Sequence, residues 1–223
     1  MSATAAPAHP MISAKICGLT TAEAMDAALG GGAAFLGFMF FASSPRDISP
    51  QAAARLAQKA RGKSRIVAVT VDPDDDLIER IRAELRPDFV QLHGAESPAR
   101  VREVARRADA AVIKVLPVAD ASDLEAVADF ESVADHLMFD AKLDANADRP
   151  GGAGASFDWS ILAGRRFARP WLLAGGLDPW NLAEAARLSG ARIVDVSSGV
   201  ERGPGLKDPA LIEAFLAAAR RAG

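Results

Sequence analysis

The chain has 223 residues, half of them hydrophobic and a quarter charged, the balance of a globular domain large enough to fold without disulfides or metal. A formal net charge of −3 gives no broad basic field and argues against a nucleic-acid partner, leaving small metabolites as the better candidates. Cys17 is the only cysteine and His9, His93 and His136 lie far apart, so no internal disulfide or cysteine-based metal cluster can form, and no structural zinc site is expected.

Residues 1–10, MSATAAPAHP, have neither the basic start nor the apolar run of a signal peptide. They read as a disordered tail, with one folded domain expected over 11–223. The longest apolar run, AAFLGFMFFA, is too short to span a bilayer, and a cytoplasmic protein is expected.

From there, short apolar β-rich runs alternate with Ala-rich amphipathic stretches. MISAKIC (11–17) precedes TAEAMDAALGG, AAFLGFMFF (33–41) precedes PQAAARLAQKAR, RIVAVTV (65–71) precedes DDDLIERIRAEL, and DFVQLH (88–93) precedes SPARVREVARRA. AVIKVL (111–116) and HLMFDAK (136–142) follow as strands five and six. PWLLAG (170–175) leads into PWNLAEAARLSG, and ARIVDVSS (191–198) is the eighth strand. The last element, DPALIEAFLAAARRA, is the clearest helix, with Asp208 as N-cap, Pro209 in the first turn and apolar residues at helical spacing through Leu216.

Strands alternating with helices imply parallel pairing. Eight units at a mean spacing of about 26 residues fit a single (β/α)8 TIM barrel with nothing left over. An open doubly wound sheet is the rival, and no G-x-G-x-x-G follows the first strand to support it. The stretch from 142 to 159 is long and rich in Gly, Pro and Asp, which marks a functional loop rather than a domain linker.

In a buried parallel strand each polar residue needs a reason. Residues two apart share a face, so Lys15 and Cys17 fall together on the first strand, Gln91 and His93 on the fourth, and Asp195 and Ser197 on the eighth. Lys114 and Asp140 add charges on the fifth and sixth. All but the two lysines lie toward the C-terminal rim, where barrel enzymes assemble their sites. Each has a bland alternative. Cys17 could be a small buried hydrophobe, His93 could bond a backbone carbonyl, Asp140 could pair with Lys142 or Lys114, and Arg46, in the turn SSPRDISP, could be solvated.

Two glycine segments, LLAGGLDPWN after strand seven and DVSSGVERGPG after strand eight, suit backbone binding of a phosphate, although tight turns alone could explain them. A third run, with Gly151, Gly152 and Gly154, reads as a mobile cover over the site or as a plain linker.

Taken in order, KICGLT (15–20), GFMFFASSPRDISP (37–50), VQLHG (90–94), FDAK (139–142), GGAGASFDWSIL (151–162), LAGGLDPWN (173–181) and DVSSGVERGPGLKD (195–208) resemble the successive signatures of phosphoribosylanthranilate isomerase, over nearly the whole chain. The resemblance implies an Amadori rearrangement of N-(5′-phosphoribosyl)anthranilate to the 1-deoxyribulose phosphate in tryptophan biosynthesis. Carried over, Cys17 is the general base and Asp140 the general acid. Arg46 contacts the anthranilate or organises the site, Asp195 bonds a substrate hydroxyl or amine, and His93 joins them as a substrate-binding residue. The phosphate lies on backbone amides around Gly175, Gly176, Ser198 and Gly199. No metal or organic cofactor is expected, and a monomer or homodimer remains open.

The chemistry suits these types. A carboxylic acid in a partly apolar site can protonate the ribose ring oxygen, and a thiolate can then take the C2′ proton if its pKa falls toward neutrality, which Lys15 or a helix N-terminus could arrange. Departures from the family pattern are small: FFASSPR lacks the usual Tyr-Pro, and TVDPDD replaces a V-F-V-N type segment. Indole-glycerol-phosphate synthase needs rim Lys and Glu, and the histidine-pathway isomerase pairs Asp on strands one and five, where this chain has Cys17 and Lys114. Ribulose-phosphate epimerases need clustered metal ligands. A non-catalytic phosphate sensor on the same barrel is the remaining alternative.

Overall fold

The computed structural model describes residues 11–142 and 156–223. The tail expected at 1–10 and the covering loop expected around Gly151, Gly152 and Gly154 lie outside the described residues.

Eight parallel strands close into one barrel in chain order: β1 Ser13–Cys17, β2 Phe35–Phe40, β3 Arg65–Thr70, β4 Phe89–Leu92, β5 Ala111–Val118, β6 His136–Ala141, β7 Trp171–Leu173 and β8 Ile193–Val196. Closure is made by β1 against β8, where Lys15 stands opposite Asp195. The expected strands therefore form, trimmed by one or two residues at most ends where the chain leaves the ladder, while β5 runs two residues further, to Val118.

Helices α1 Ala22–Gly30, α2 Pro50–Ala57, α3 Asp75–Glu84 and α4 Pro98–Ala108 return the chain between the first five strands. The short α5 Val127–Phe130 follows β5, α6 Leu182–Ser189 follows β7, and α7 Pro209–Ala222 ends the fold. Local chemistry starts them. Thr21, Ser49, Asp74, Ser97 and Asp208 each cap a helix by accepting a first-turn N–H, and proline opens α2, α4 and α7 where a missing N–H costs nothing. Two connections depart from the regular pattern. After β5 the chain makes a 3-10 segment, Ala121–Ala126, and one α turn, and after β6 the described residues hold only the 3-10 turn Trp159–Leu162. Asp120, Asp123 and Asp158 turn their carboxylates back onto nearby backbone N–H groups there, a competing use that favours tight turns over a continued helix.

Strand alternation sorts the side chains into two cores. Outward residues such as Ile16, Leu36, Phe38, Ile66 and Phe139 pack against the helices. Inward residues fill the barrel, with Phe35, Val67, Ile113, Met138 and Leu172 among them. At the N-terminal end Phe35, Phe89 and His136 form an edge-to-face floor, the Phe35–Phe89 and Phe89–His136 centroids 5.8 and 5.1 Å apart. Each buried Leu, Ile or Phe contributes about 1.5–3 kcal/mol of transfer free energy, so the apolar floor and shell support the polar residues above them.

Candidate active site

Following the inward faces upward from the floor, apolar side chains give way to polar ones at the C-terminal mouth. Lys15 is fully buried and donates from Nζ to Asp195 Oδ1 at 2.8 Å. Next on the same face is Cys17, only 4% exposed. The neighbouring strand makes room for both with Gly37, since a Cβ there would lie 3.2 Å from Cys17 Sγ and 3.2 Å from Lys15 Nζ. Thiol, ammonium and carboxylate thus share one water-poor corner. Burial pulls the Lys15 ammonium down, but Asp195 and Cys17 outweigh it and hold it above its ordinary value. Burial pushes the Cys17 thiol up, Lys15 pulls it down, Asp195 pushes it up and Lys207 pulls it down, for a net rise. Desolvation therefore offsets the fall toward neutrality anticipated from Lys15 or a helix N-terminus.

Arg46 is buried, contrary to the solvated alternative for its turn. Its Nε and Nη2 donate to the two carboxylate oxygens of Glu201 at 2.7 and 2.8 Å, a bidentate pair. Gly18, at φ +77°, lets the Arg46 stem pass, as a Cβ there would come within 2.5 Å of Arg46 Cδ. Glu201 begins a small hairpin, β9 Glu201–Gly203 and β10 Leu206–Lys207, and also accepts from Lys207 Nζ. Lys207 donates further to the Ser197 carbonyl at 2.9 Å and Ser197 Oγ at 3.3 Å, and Ser197 Oγ donates to the Cys17 carbonyl at 3.3 Å. Burial would raise the Glu201 carboxyl, yet Arg46 and Lys207 hold it below its usual range. Desolvation pulls Lys207 below its ordinary value despite Glu201.

Across the mouth, His93 Nε2 lies 3.3 Å from Asp140 Oδ2, and Gln91 Nε2 lies 3.4 Å from His93 Nδ1. Asp140 Oδ1 accepts the Ala141 N–H at 2.8 Å. Neither lysine suggested as its partner takes that place. Lys142 pairs with Asp123, and Lys114 pairs with Glu96 at 2.6 Å while donating to the Gly94 carbonyl at 2.7 Å. Lys114 thus braces the loop after β4.

The two glycine loops meet at the rim. A Cβ on Gly199 would lie 2.0 Å from the Leu177 carbonyl oxygen, so only glycine lets the loops after β7 and β8 touch. Gly175 and Gly176, at φ +88° and +65°, carry the chain past Ala141 and Asp140. Asp178 accepts the N–H groups of Trp180 and Asn181, and Asn181 Nδ2 donates to the Gly176 carbonyl at 2.8 Å, which stiffens this turn. After β8 the chain makes a 3-10 turn, Ser198–Val200, and the β9–β10 hairpin before α7 starts at Pro209 behind the Asp208 cap, where the sequence placed the last helix.

Cys17, Asp140, His93 and Asp195 thus line one mouth, with the glycine loops beside it and Arg46 tucked behind its β1–β8 side. Glu201, Lys207, Glu96 and the Gln91 contact were not singled out from sequence. Glu201 and Lys207 did stand inside the DVSSGVERGPGLKD segment, where two charges among turn residues were the available signal. Among the described residues no group of three His, Cys, Asp or Glu side chains is placed to hold a metal ion.

Comparison with known proteins agrees in extent and in fold. Residues 14–218 match the family model described as N-(5′-phosphoribosyl)anthranilate (PRA) isomerase. A relative from Caulobacter vibrioides named N-(5′-phosphoribosyl)anthranilate isomerase is 60% identical over 210 residues, 94% of this chain and 96% of its own. The crystal structure of phosphoribosyl anthranilate isomerase from Thermotoga maritima superposes with a TM-score of 0.84 at 33% identity, covering 95% of this chain and 100% of that one. Another crystal structure of phosphoribosyl anthranilate isomerase, in complex with reduced 1-(o-carboxyphenylamino)-1-deoxyribulose 5-phosphate, superposes at 0.81 with 32% identity, covering 95% and 100%.

Proposed function

The chain belongs to the N-(5′-phosphoribosyl)anthranilate isomerase family, and from that premise we propose how its residues carry the isomerisation. It is an aldose–ketose isomerase of tryptophan biosynthesis, converting N-(5′-phosphoribosyl)anthranilate to 1-(2-carboxyphenylamino)-1-deoxyribulose 5-phosphate.

The observation that carries the mechanism is the placement of Cys17 and Asp140. A thiol on β1 and a carboxyl on β6 both face inward at the same end of the barrel, above an apolar floor. The substrate phosphate binds between the abutting loops at Gly175, Gly176, Ser198 and Gly199, which anchors the sugar across the mouth. Asp140 protonates the ribose ring oxygen as the C1′–O bond breaks and the anthranilate nitrogen forms the Schiff base. His93 supports Asp140 on the side away from Ala141 and reaches toward the substrate. Cys17, as thiolate, removes the C2′ proton made acidic by the iminium, and the enolamine tautomerises to the ketone. Asp195, with one oxygen engaged by Lys15, offers the other to a substrate hydroxyl or amine, and Arg46 organises the anthranilate end from its seat on Glu201. General acid and base contribute about 10²–10⁴-fold each, and the remainder comes from positioning.

The reading implies a phosphorylated small-molecule substrate, no organic cofactor, a cytoplasmic setting and no nucleic-acid or membrane partner. Among the described residues no helix is long and apolar enough to cross a membrane. A phosphate-ligand sensor would leave the substrate's anthranilate-type fluorescence constant after mixing, whereas turnover removes it. Steady-state kinetics by that signal test the roles: Asp140→Asn nearly abolishes turnover and Cys17→Ser lowers it severely. A rate near that of the unaltered enzyme for either variant removes that residue from the mechanism.

A further inference from the structure

Lys114 carries its charge into the shell of the barrel rather than into the mouth. Its strand neighbours Ile113 and Val115 fill the inner core, while Val112 and Leu116, on the Lys114 side, pack toward the helices. The ammonium lies over the Phe130 ring of α5, 5.6 Å from its centroid, and the salt bridge to Glu96 leaves the two side chains only 3% and 2% exposed. A buried ion pair adds little stability over apolar side chains of similar volume, so its use here calls for another reason.

That reason lies in what the pair holds. His93 is the first residue past β4, and its N–H still reaches the Thr70 carbonyl of β3 at 2.9 Å. From there the two charged side chains take over from the sheet. Lys114 Nζ donates to the Gly94 carbonyl at 2.7 Å and lies 3.5 Å from that of Leu92, so it grips the chain on both sides of His93. Glu96 accepts the Gly94 N–H at 3.1 Å and the Asp72 N–H at 3.0 Å. Asp72 in turn accepts the Ala95 N–H at 2.8 Å, and a Cβ on Gly94 would run into its carboxylate. The peptides flanking His93 are thereby fixed from outside the barrel, and the imidazole is carried inward to 3.3 Å from Asp140 Oδ2.

Resting on the reading of Asp140 as the acid, we propose that Lys114 and Glu96 are positioning residues for the reaction, holding His93 against Asp140. Misplacing a catalytic contact by about 1 Å costs up to ~10²-fold in rate. Lys114→Met or Glu96→Gln therefore lowers kcat about 10- to 100-fold and leaves KM within about threefold, since the phosphate loops stand on β7 and β8. In a His93→Ala background the same substitutions change kcat by less than about twofold. In NMR spectra of the full chain the His93 imidazole signals shift or broaden in both variants, and those of His136 do not. Lys114→Met combined with Glu96→Leu removes both charges together and serves if the single variants do not fold. Unchanged His93 signals overturn the proposal, as do rate losses that are as large without His93 as with it. So does a barrel that folds in none of these variants, since the pair then serves stability alone. Full turnover by Asp140→Asn would sink the acid and with it the catalytic role, while shifted imidazole signals would still assign the clamp to His93.

Discussion

Replacing Lys15 by methionine removes one partner of an ion pair in which the lysine side chain is fully buried and the Asp195 side chain is 10% exposed. The apolar stem survives, so the cavity term is small and the loss is electrostatic. An uncompensated buried carboxylate costs about 3–5 kcal/mol, a third or more of the ~5–15 kcal/mol that holds a typical domain together. For a chain of this length each kcal/mol lowers Tm by about 2–4 °C, so the variant should melt roughly 6–20 °C below the unaltered protein. Because the pair is screened from solvent, 0.5 M salt should leave the difference nearly intact, unlike that of a surface pair. Adding Asp195→Asn removes the orphaned charge and should recover about 1–3 kcal/mol relative to the sum of the two single losses. Urea unfolding of the four proteins at neutral pH completes the cycle. A single variant within about 1 kcal/mol of the parent, or strictly additive losses, would refute the assignment of this pair as a coupled buried unit.

Gly199→Ala should force the loops after β7 and β8 apart, because the new methyl would meet the Leu177 carbonyl at 2.0 Å. With one or two charge-assisted contacts to the phosphate lost at about 1.5–3 kcal/mol each, KM should rise 10-fold or more with a smaller change in kcat, and competition by inorganic phosphate should weaken in parallel; unchanged values of both would rule out the phosphate seat. At Gly18 an added methyl would press on Arg46 Cδ at 2.5 Å against a backbone at φ +77°, so Gly18→Ala should lower both Tm and kcat/KM, and parent-like values would show that the Arg46–Glu201 seat is dispensable. Burial between Phe35 and Phe89 holds the His136 imidazole below its ordinary value, so the folded barrel keeps it neutral. Its contribution is complete above the unfolded imidazole value of about 6.5 and is lost as pH falls through the lower folded value. Urea midpoints between pH 7.5 and 5 should therefore fall less steeply in His136→Phe, and an identical slope would show that the floor histidine does not titrate with folding.

The barrel was legible because its signals are local. Apolar runs such as RIVAVTV, hydroxyl or carboxylate caps such as Ser49, Ser97 and Asp208, and proline in first turns each act over a few residues. The connections after β5 and β6 were less legible, since ASDLEAVADF mixes apolar residues with carboxylates that compete for backbone donors. The inward faces could be read from strand alternation alone, and Lys15, Cys17, Gln91, His93 and Asp195 lie on the faces expected of them. Their partners could not be read in this way. Asp140 meets His93, 47 residues away in sequence, rather than the nearby Lys142, and Lys114 is taken by Glu96 in a loop that no periodicity marks.

From the amino-acid order alone followed eight parallel strands, their buried faces, the glycine turns and the family motifs, because each rests on propensity, periodicity or a short run of residues. Only the closed barrel decided which charges neutralise which. It joins β1 to β8 and so brings Lys15 to Asp195 across 180 residues, and it folds the last hairpin back so that Glu201 serves Arg46 and Lys207 together. A charge acts through distance and dielectric rather than chain separation, and both are defined only once the barrel has closed and expelled its water.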